Sequence, residues 1–239
     1  MKSAYFLVDI FTILVPFLFS FHPKLLFYKT WKAFFPAVFI TGLIFIVWDI
    51  YFTKLGVWGF NPTYVFGIYI TNLPVEEFLF FFCIPYSCVF TYYCLALFIK
   101  ISPSLKWETT ITYSLIIISL VLAGYYYNQK YTLSTFVLMA MLLPFAKRFL
   151  KVSWLGKFYL IYPILVIPLL IVDGVLTGTG LDKPIVWYNP AEFIGIRIMT
   201  VPVEDIFYGM DLIFINLLIY QYLINKKQIT LNNKPVNAF

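Results

Sequence analysis

This chain is short of charge. Of its 239 residues 12% are Asp, Glu, Lys or Arg, against 62% hydrophobic, too few polar residues to cover a water-soluble globule of that length. Its single histidine, His22, falls in a loop and on its own supplies neither a metal cluster nor a triad. The three cysteines, Cys83, Cys88 and Cys94, sit in one apolar run with no framework or metal spacing, so they read as small packing residues. Glycine patterns of the Rossmann and P-loop kind are missing, which argues against bound nicotinamide, flavin or nucleotide; no cofactor and no metal are expected. The last apolar run has no lysine between Val203 and Asn225, which excludes a retinal Schiff base there. The alternating pattern of a membrane barrel is also missing.

What is present is long apolar helix. Mean hydropathy is +0.88, and the runs approach 20 residues, enough to cross about 30 Å of hydrocarbon. They place seven helices at 4–20, 32–50, 74–98, 109–127, 131–149, 156–173 and 202–224. The expected fold class is therefore all-α, a polytopic membrane protein. Helix one follows Lys2 without a small-residue cleavage site, so it reads as a retained span. Two long loops, near 51–73 and 174–201, are rich in Gly, Pro, Asn, Tyr and Trp and suit aromatic anchoring at a membrane surface.

Five of the 17 basic residues, Lys2, Lys54, Lys130, Lys183 and Arg197, lie at the N-terminus and in the loops after helices two, four and six. The opposite loops and the tail, with Lys226, Lys227 and Lys234, hold twelve. The positive-inside rule then puts the N-terminus outside and the C-terminus in the cytoplasm of a bacterial-type inner membrane. The net charge of +6 is thereby spent on orientation, and no nucleic-acid footprint is left. Of the 11 acids all but Glu108 map toward the long-loop side. Asp9 and Asp211 fall well inside their helices, where an acid usually faces a cavity or a partner.

The chain contains a duplication. Leu14, Pro16 and Phe17 match Leu142, Pro144 and Phe145; Asn61 and Pro62 match Asn189 and Pro190; Pro74, Val75, Glu76 and Glu77 match Pro202, Val203, Glu204 and Asp205, all at one offset. Asp49 matches Asp173 with four residues fewer between them, so the second long loop carries an insertion. The division is residues 1–100 for the first three-helix repeat, 101–130 for a linker helix, and 131–239 for the second repeat and tail. An even number of crossings between equivalents gives both repeats one orientation, unlike the inverted repeats of many transporters.

Each repeat starts its third helix with Pro-Val-Glu-acid. Asn72 or Thr200 is available near the cap, and Pro74 or Pro202 stands close to the first helical position. One such motif is ordinary capping of exposed amides; two, at symmetric places in a chain of 11 acids, point to chemistry. Neighbours on a helix point about 100° apart, so one acid of each pair faces a cavity. Glu76 shares a face with Phe80 and Cys83, Glu204 with Tyr208 and Asp211, and the expectation is that Glu76 and Glu204 face inward while Glu77 and Asp205 support or cap them. Asp49, Asp173, Asn61 and Asn189 are further candidates for substrate contact, with Arg197 a candidate counter-ion. Opposing acids in an apolar setting titrate apart, giving one group that donates a proton and another that takes it back. Aromatic faces beside them suit a cationic intermediate.

These doubled Pro-Val-Glu-Glu and Pro-Val-Glu-Asp motifs, each behind a Trp/Asn-Pro loop in a three-plus-one-plus-three helix pattern, resemble the integral-membrane lycopene cyclases of bacteria, archaea and fungi over nearly the whole chain. That family occurs as two small subunits or one fused polypeptide, and this chain looks like the fused form. The resemblance implies cyclisation of lycopene ends to β-ionone rings, giving β-carotene, without flavin or net redox change. It also implies that Glu76, Glu77, Glu204 and Asp205 are the essential acids, with lycopene and the lipid bilayer as partners. Two other readings stay open. One is a proton- or cation-coupled transporter, motivated by Asp9 and Asp211; the other is a different membrane isoprenoid cyclase or a prenyltransferase. The second lacks an Asp-x-x-Asp cluster, although paired carboxylates can hold Mg²⁺.

Overall fold

The computed structural model describes residues 2–232, with side chains as far as Lys226. Met1, Lys234 and the side chain of Lys227, the last two counted above on the tail side, lie outside the described residues. Seven helices run α1 Ala4–Phe19, α2 Trp31–Lys54, α3 Val75–Phe98, α4 Leu105–Tyr125, α5 Lys130–Pro144, α6 Leu155–Leu176 and α7 Val203–Asn232. Six are long and apolar enough to cross a membrane, and α1, at 16 residues, is a shorter apolar helix. The chain is an all-α integral membrane protein.

Local chemistry sets the ends. Ser104 caps α4 by accepting the Trp107 amide at 3.2 Å. α5 ends at Pro144, after which Phe145–Phe149 forms a π turn. Pro74 and Pro202 stand one residue before α3 and α7, close to the first helical position as expected, and pair in short strands. Asn72 and Thr200 do not cap these helices. Asn72 donates to the Ile50 carbonyl at 2.9 Å and Thr200 to the Gly174 carbonyl at 3.1 Å, each tying a hairpin to the end of the preceding helix.

The long loops contain six short strands: β1 Trp58–Phe60, β2 Tyr69–Ile70, β3 Leu73–Pro74, β4 Val186–Tyr188, β5 Arg197–Ile198 and β6 Val201–Pro202. β2–β3 and β5–β6 are equivalent hairpins, with Thr71 and Met199 at φ 58° and 57° in their turns. β1 and β4 pair with each other, antiparallel, in the register Trp58↔Tyr188, Gly59↔Trp187 and Phe60↔Val186. Gly59 and Trp187 are repeat equivalents that face one another, so the pseudo-two-fold axis passes between them. A Cβ on Gly59 would run into the Trp187 indole. The ribbon roofs the helix bundle at the long-loop end.

Asn61 and Asn189 brace that roof symmetrically. The Asn61 amide donates to the Ile185 carbonyl at 2.8 Å and the Asn189 amide to the Val57 carbonyl at 2.8 Å. Their side chains donate to the Pro184 and Gly56 carbonyls at 3.3 and 3.2 Å and accept the Thr63 and Ala191 amides. Asn189→Ala removes two such bonds, and at about 1 kcal/mol each we expect thermal unfolding in detergent to show a loss of about 2 kcal/mol relative to the unaltered protein.

Candidate active site

Beneath the β1–β4 roof lies a narrow chamber of about 60 Å³. Four carboxyl groups line it, one from each of four helices: Asp49 of α2, Glu77 of α3, Asp173 of α6 and Asp205 of α7. They form two pairs related by the repeat. The lining of α3 runs Glu77, Phe80, Phe81, Ile84 and that of α7 runs Asp205, Tyr208, Gly209, Leu212, the i, i+3, i+4, i+7 stripe of one helix face.

The stripe reverses the expected facing of the doubled motif. Glu77 and Asp205 line the chamber; Glu76 and Glu204 turn away and hold the loops. Glu76 accepts the Phe66 amide at 2.7 Å and Glu204 the Ile194 amide at 2.8 Å, ten residues back in each case. Glu204 also accepts the Thr132 hydroxyl at 2.6 Å. Each hairpin folds its preceding loop over the first helical turn, and the second residue of the helix points at the loop amide. Asp211 misled the sequence reading: it lies on Glu204's face and is 2% exposed, but outside the chamber lining.

The chamber acids are met by neutral donors. Trp58 Nε1 donates to Asp49. Tyr5 donates to Glu77 at 2.6 Å. Tyr131 donates to Asp205, and Tyr188 reaches its other oxygen at 3.2 Å. Burial, with Asp205 next in effect, pushes the Tyr188 phenol above its ordinary value, so it stays protonated and donates. Among the described residues, the Asp173 carboxyl alone of the four receives no hydrogen bond. Apolar rings close the space, with Phe60, Phe80 and Phe81 among them.

Other candidates fall elsewhere. Asn61 and Asn189 are roof braces and do not line the chamber. Phe80 and Tyr208 do line it. Arg197 forms no ion pair with an acid among the described residues, although its charge acts on Asp205 from a distance: it is exposed, donates to the Thr200 carbonyl, and lies 4.7 Å over the Phe193 ring and 5.9 Å over that of Tyr188. Asp9 is fully buried, with neither oxygen hydrogen-bonded. Among the described residues, no group of three His, Cys, Asp or Glu side chains is placed to hold a metal ion.

Sequence reading missed the donors. Trp58 sits in a loop that suggested surface anchoring, yet it is 5% exposed. Tyr5 and Tyr131 occupy equivalent places at the starts of α1 and α5, and their amides bond the Tyr64 and Glu192 carbonyls. Their separation is two residues shorter than the offset that aligns the rest of the repeat, so the duplication did not display them as a pair.

The fold and site define an integral membrane protein built on an internal duplication, with four carboxyls around one ring-walled chamber. The lycopene cyclase family model matches residues 2–95 and 128–223, one segment per repeat, and the chain belongs to that family. Its members act in carotenoid cyclisation. Comparison with curated proteins and with solved structures gives no match.

Because Glu204 accepts two hydrogen bonds and Glu76 one, Glu204→Ala should destabilise the protein more than Glu76→Ala. At about 1 kcal/mol per hydrogen bond, the difference is readable by thermal unfolding of the two variants side by side.

Proposed function

We propose that this protein is a lycopene β-cyclase working by acid–base catalysis in the chamber under the β1–β4 roof, with β-carotene as product. The observation that carries this reading is the set of four carboxyls facing one apolar, ring-walled space. A carboxylic acid there protonates the terminal C=C of the substrate. The tertiary cation is attacked by the neighbouring alkene, closing a ring, and a carboxylate removes a ring proton. No electrons are gained or lost, so the step needs no redox cofactor.

Asp173, without a donor among the described residues, is the group best placed to present its own proton to the alkene. Asp205, accepting from Tyr131 and Tyr188, and Glu77, accepting from Tyr5, suit the role of proton acceptor. The faces of Phe60, Phe80 and Tyr208 stabilise the intervening cation through their ring quadrupoles. Glu76 and Glu204 act as positioning residues that hold the loops over the reacting groups.

The distribution of basic residues supports a chamber near the outer face of a bacterial-type inner membrane, with the tail in the cytoplasm. The division at residues 1–100, 101–130 and 131–239 fits a fused pair of half-proteins.

Expression in lycopene-accumulating cells, with carotenoids separated by chromatography, tests the reading. The unaltered chain should yield β-carotene. Glu77→Gln and Asp205→Asn should each lower conversion by about 10²-fold or more, the usual contribution of a general acid or base, with the protein still inserted. Lycopene left wholly acyclic by the unaltered chain would remove the proposal.

A further inference from the structure

At about 60 Å³ the chamber has room for about two waters, less than a branched chain end needs. One of its walls must give way for a substrate, and the structure marks which. A second cavity, of about 290 Å³, begins where the first stops, and Ile84 of α3 and Leu169 of α6 line both. It runs between α1, α3 and α6 to a rim where Phe11 and Ile171 are 68% and 66% exposed, on the flank of the bundle that faces lipid. Its hydroxyls are turned to backbone: Thr12 donates to the Val8 carbonyl at 2.7 Å, Ser87 to the Thr12 and Cys83 carbonyls at 2.8 and 2.9 Å, and Thr91 to the Ser87 carbonyl at 2.7 Å. What the groove offers a guest is hydrocarbon.

The duplication supplies an internal control. Leu169 corresponds to Phe45, Val172 to Trp48 and Gly209 to Phe81. On the groove side Leu169 leans on Gly209, where a Cβ would come within 2.7 Å of its Cδ1. On the opposite side Phe45 is fully buried, its ring 6.2 Å from that of Phe81 and stacked 5.8 Å from Trp48. Three aromatic rings fill there what Leu, Val and Gly leave slack here.

We infer that the groove between α1 and α6 is a lateral port through which one end of a linear polyene passes from the bilayer to the carboxyls, displacing Ile84 and Leu169, while its tail stays in the groove. The identity of the guest rests on the cyclase reading; the port rests on the two wall residues that the cavities share and on the filled counterpart. A second apolar groove, of about 460 Å³ between α2 and α3, meets the chamber wall at Phe81 alone, whereas the α1–α6 groove shares two wall residues with it; a substrate with two reactive ends using this port withdraws and returns reversed for its second ring.

The test plugs the port with the ring that the other repeat already uses. Val172→Trp and Ile171→Trp are made in the unaltered chain and in Asp205→Asn, and lycopene retained by purified protein in nanodiscs is measured beside cyclic product formed in cells. Ile117→Trp, at a position of α4 that is 60% exposed and lines neither groove, is the control. Both plugs should lose retained lycopene and product while Ile117→Trp keeps both, with unfolding temperatures matching the parent; should Val172→Trp not fold, Ile171→Trp on the exposed rim decides. Monocyclic carotene should precede the bicyclic product in a time course. Plugged variants that retain and cyclise lycopene like the parent would overturn the port and leave the cyclase reading standing. Lycopene bound by the parent and lost on plugging, with no cyclic product from any variant, would keep the port and sink that reading. Bicyclic product appearing with no free monocyclic stage would overturn passage of one end at a time.

Discussion

A carboxyl group inside a membrane protein must find hydrogen-bond donors or carry a large desolvation cost, and four of them around one small space multiply the problem by their mutual repulsion. Here the relief comes from neutral donors: the phenols of Tyr5, Tyr131 and Tyr188 and the indole of Trp58. The ion pairs that bring Lys130 to Glu192 and Lys147 to Glu108 lie away from the chamber. A buried cation would neutralise the acids and fill the space between them; a phenol solvates a carboxylate and leaves that space free. The roof, the hairpins and the loop clamps all follow from the need to bring these donors to the acids.

Much of this was legible in the sequence, because length and apolarity specify a membrane helix with little help from context. The seven helices, the duplication and the doubled acid motif were all readable. Which acid of each motif faces inward was not. The choice between Glu76 and Glu77 turns on about 100° of helix rotation, and Asp211 drew the stripe onto the wrong face. Strands of two or three residues leave no periodicity to read, so the roof was invisible and Trp58 and Trp187 were taken for membrane anchors. The structure keeps Trp58 for Asp49 and lays Trp187 over Gly59. The ring contacts of Arg197 are equally illegible, because the hairpin that turns it onto Phe193 and Tyr188 leaves no pattern in the sequence.

The two repeats have kept their acids and let their surroundings diverge. Tyr208 and Tyr188 stand where the first repeat has Phe80 and Phe60, and Trp58 where the second has Val186. Donors therefore crowd toward Asp49 and Asp205, and Asp173 is left bare. Symmetry supplies four carboxyls at one depth, and broken symmetry gives them unequal company, which is what the proposed reaction, with its distinct protonation and deprotonation steps, requires.

The β1–β4 ribbon places a limit on how far that divergence can go. Because each strand is the other's equivalent and the pair is centred on the axis, a length change inside either strand would slip both halves out of register at once. The four additional residues of the second loop fall between Asp173 and Pro184, upstream of the ribbon, in a turn where Thr177 and Thr179 reach Thr200 at 2.8 and 2.6 Å. Evolutionary tinkering with loop length is thus steered to the stretch ahead of the clasp, and the shared clasp holds two drifting copies in step.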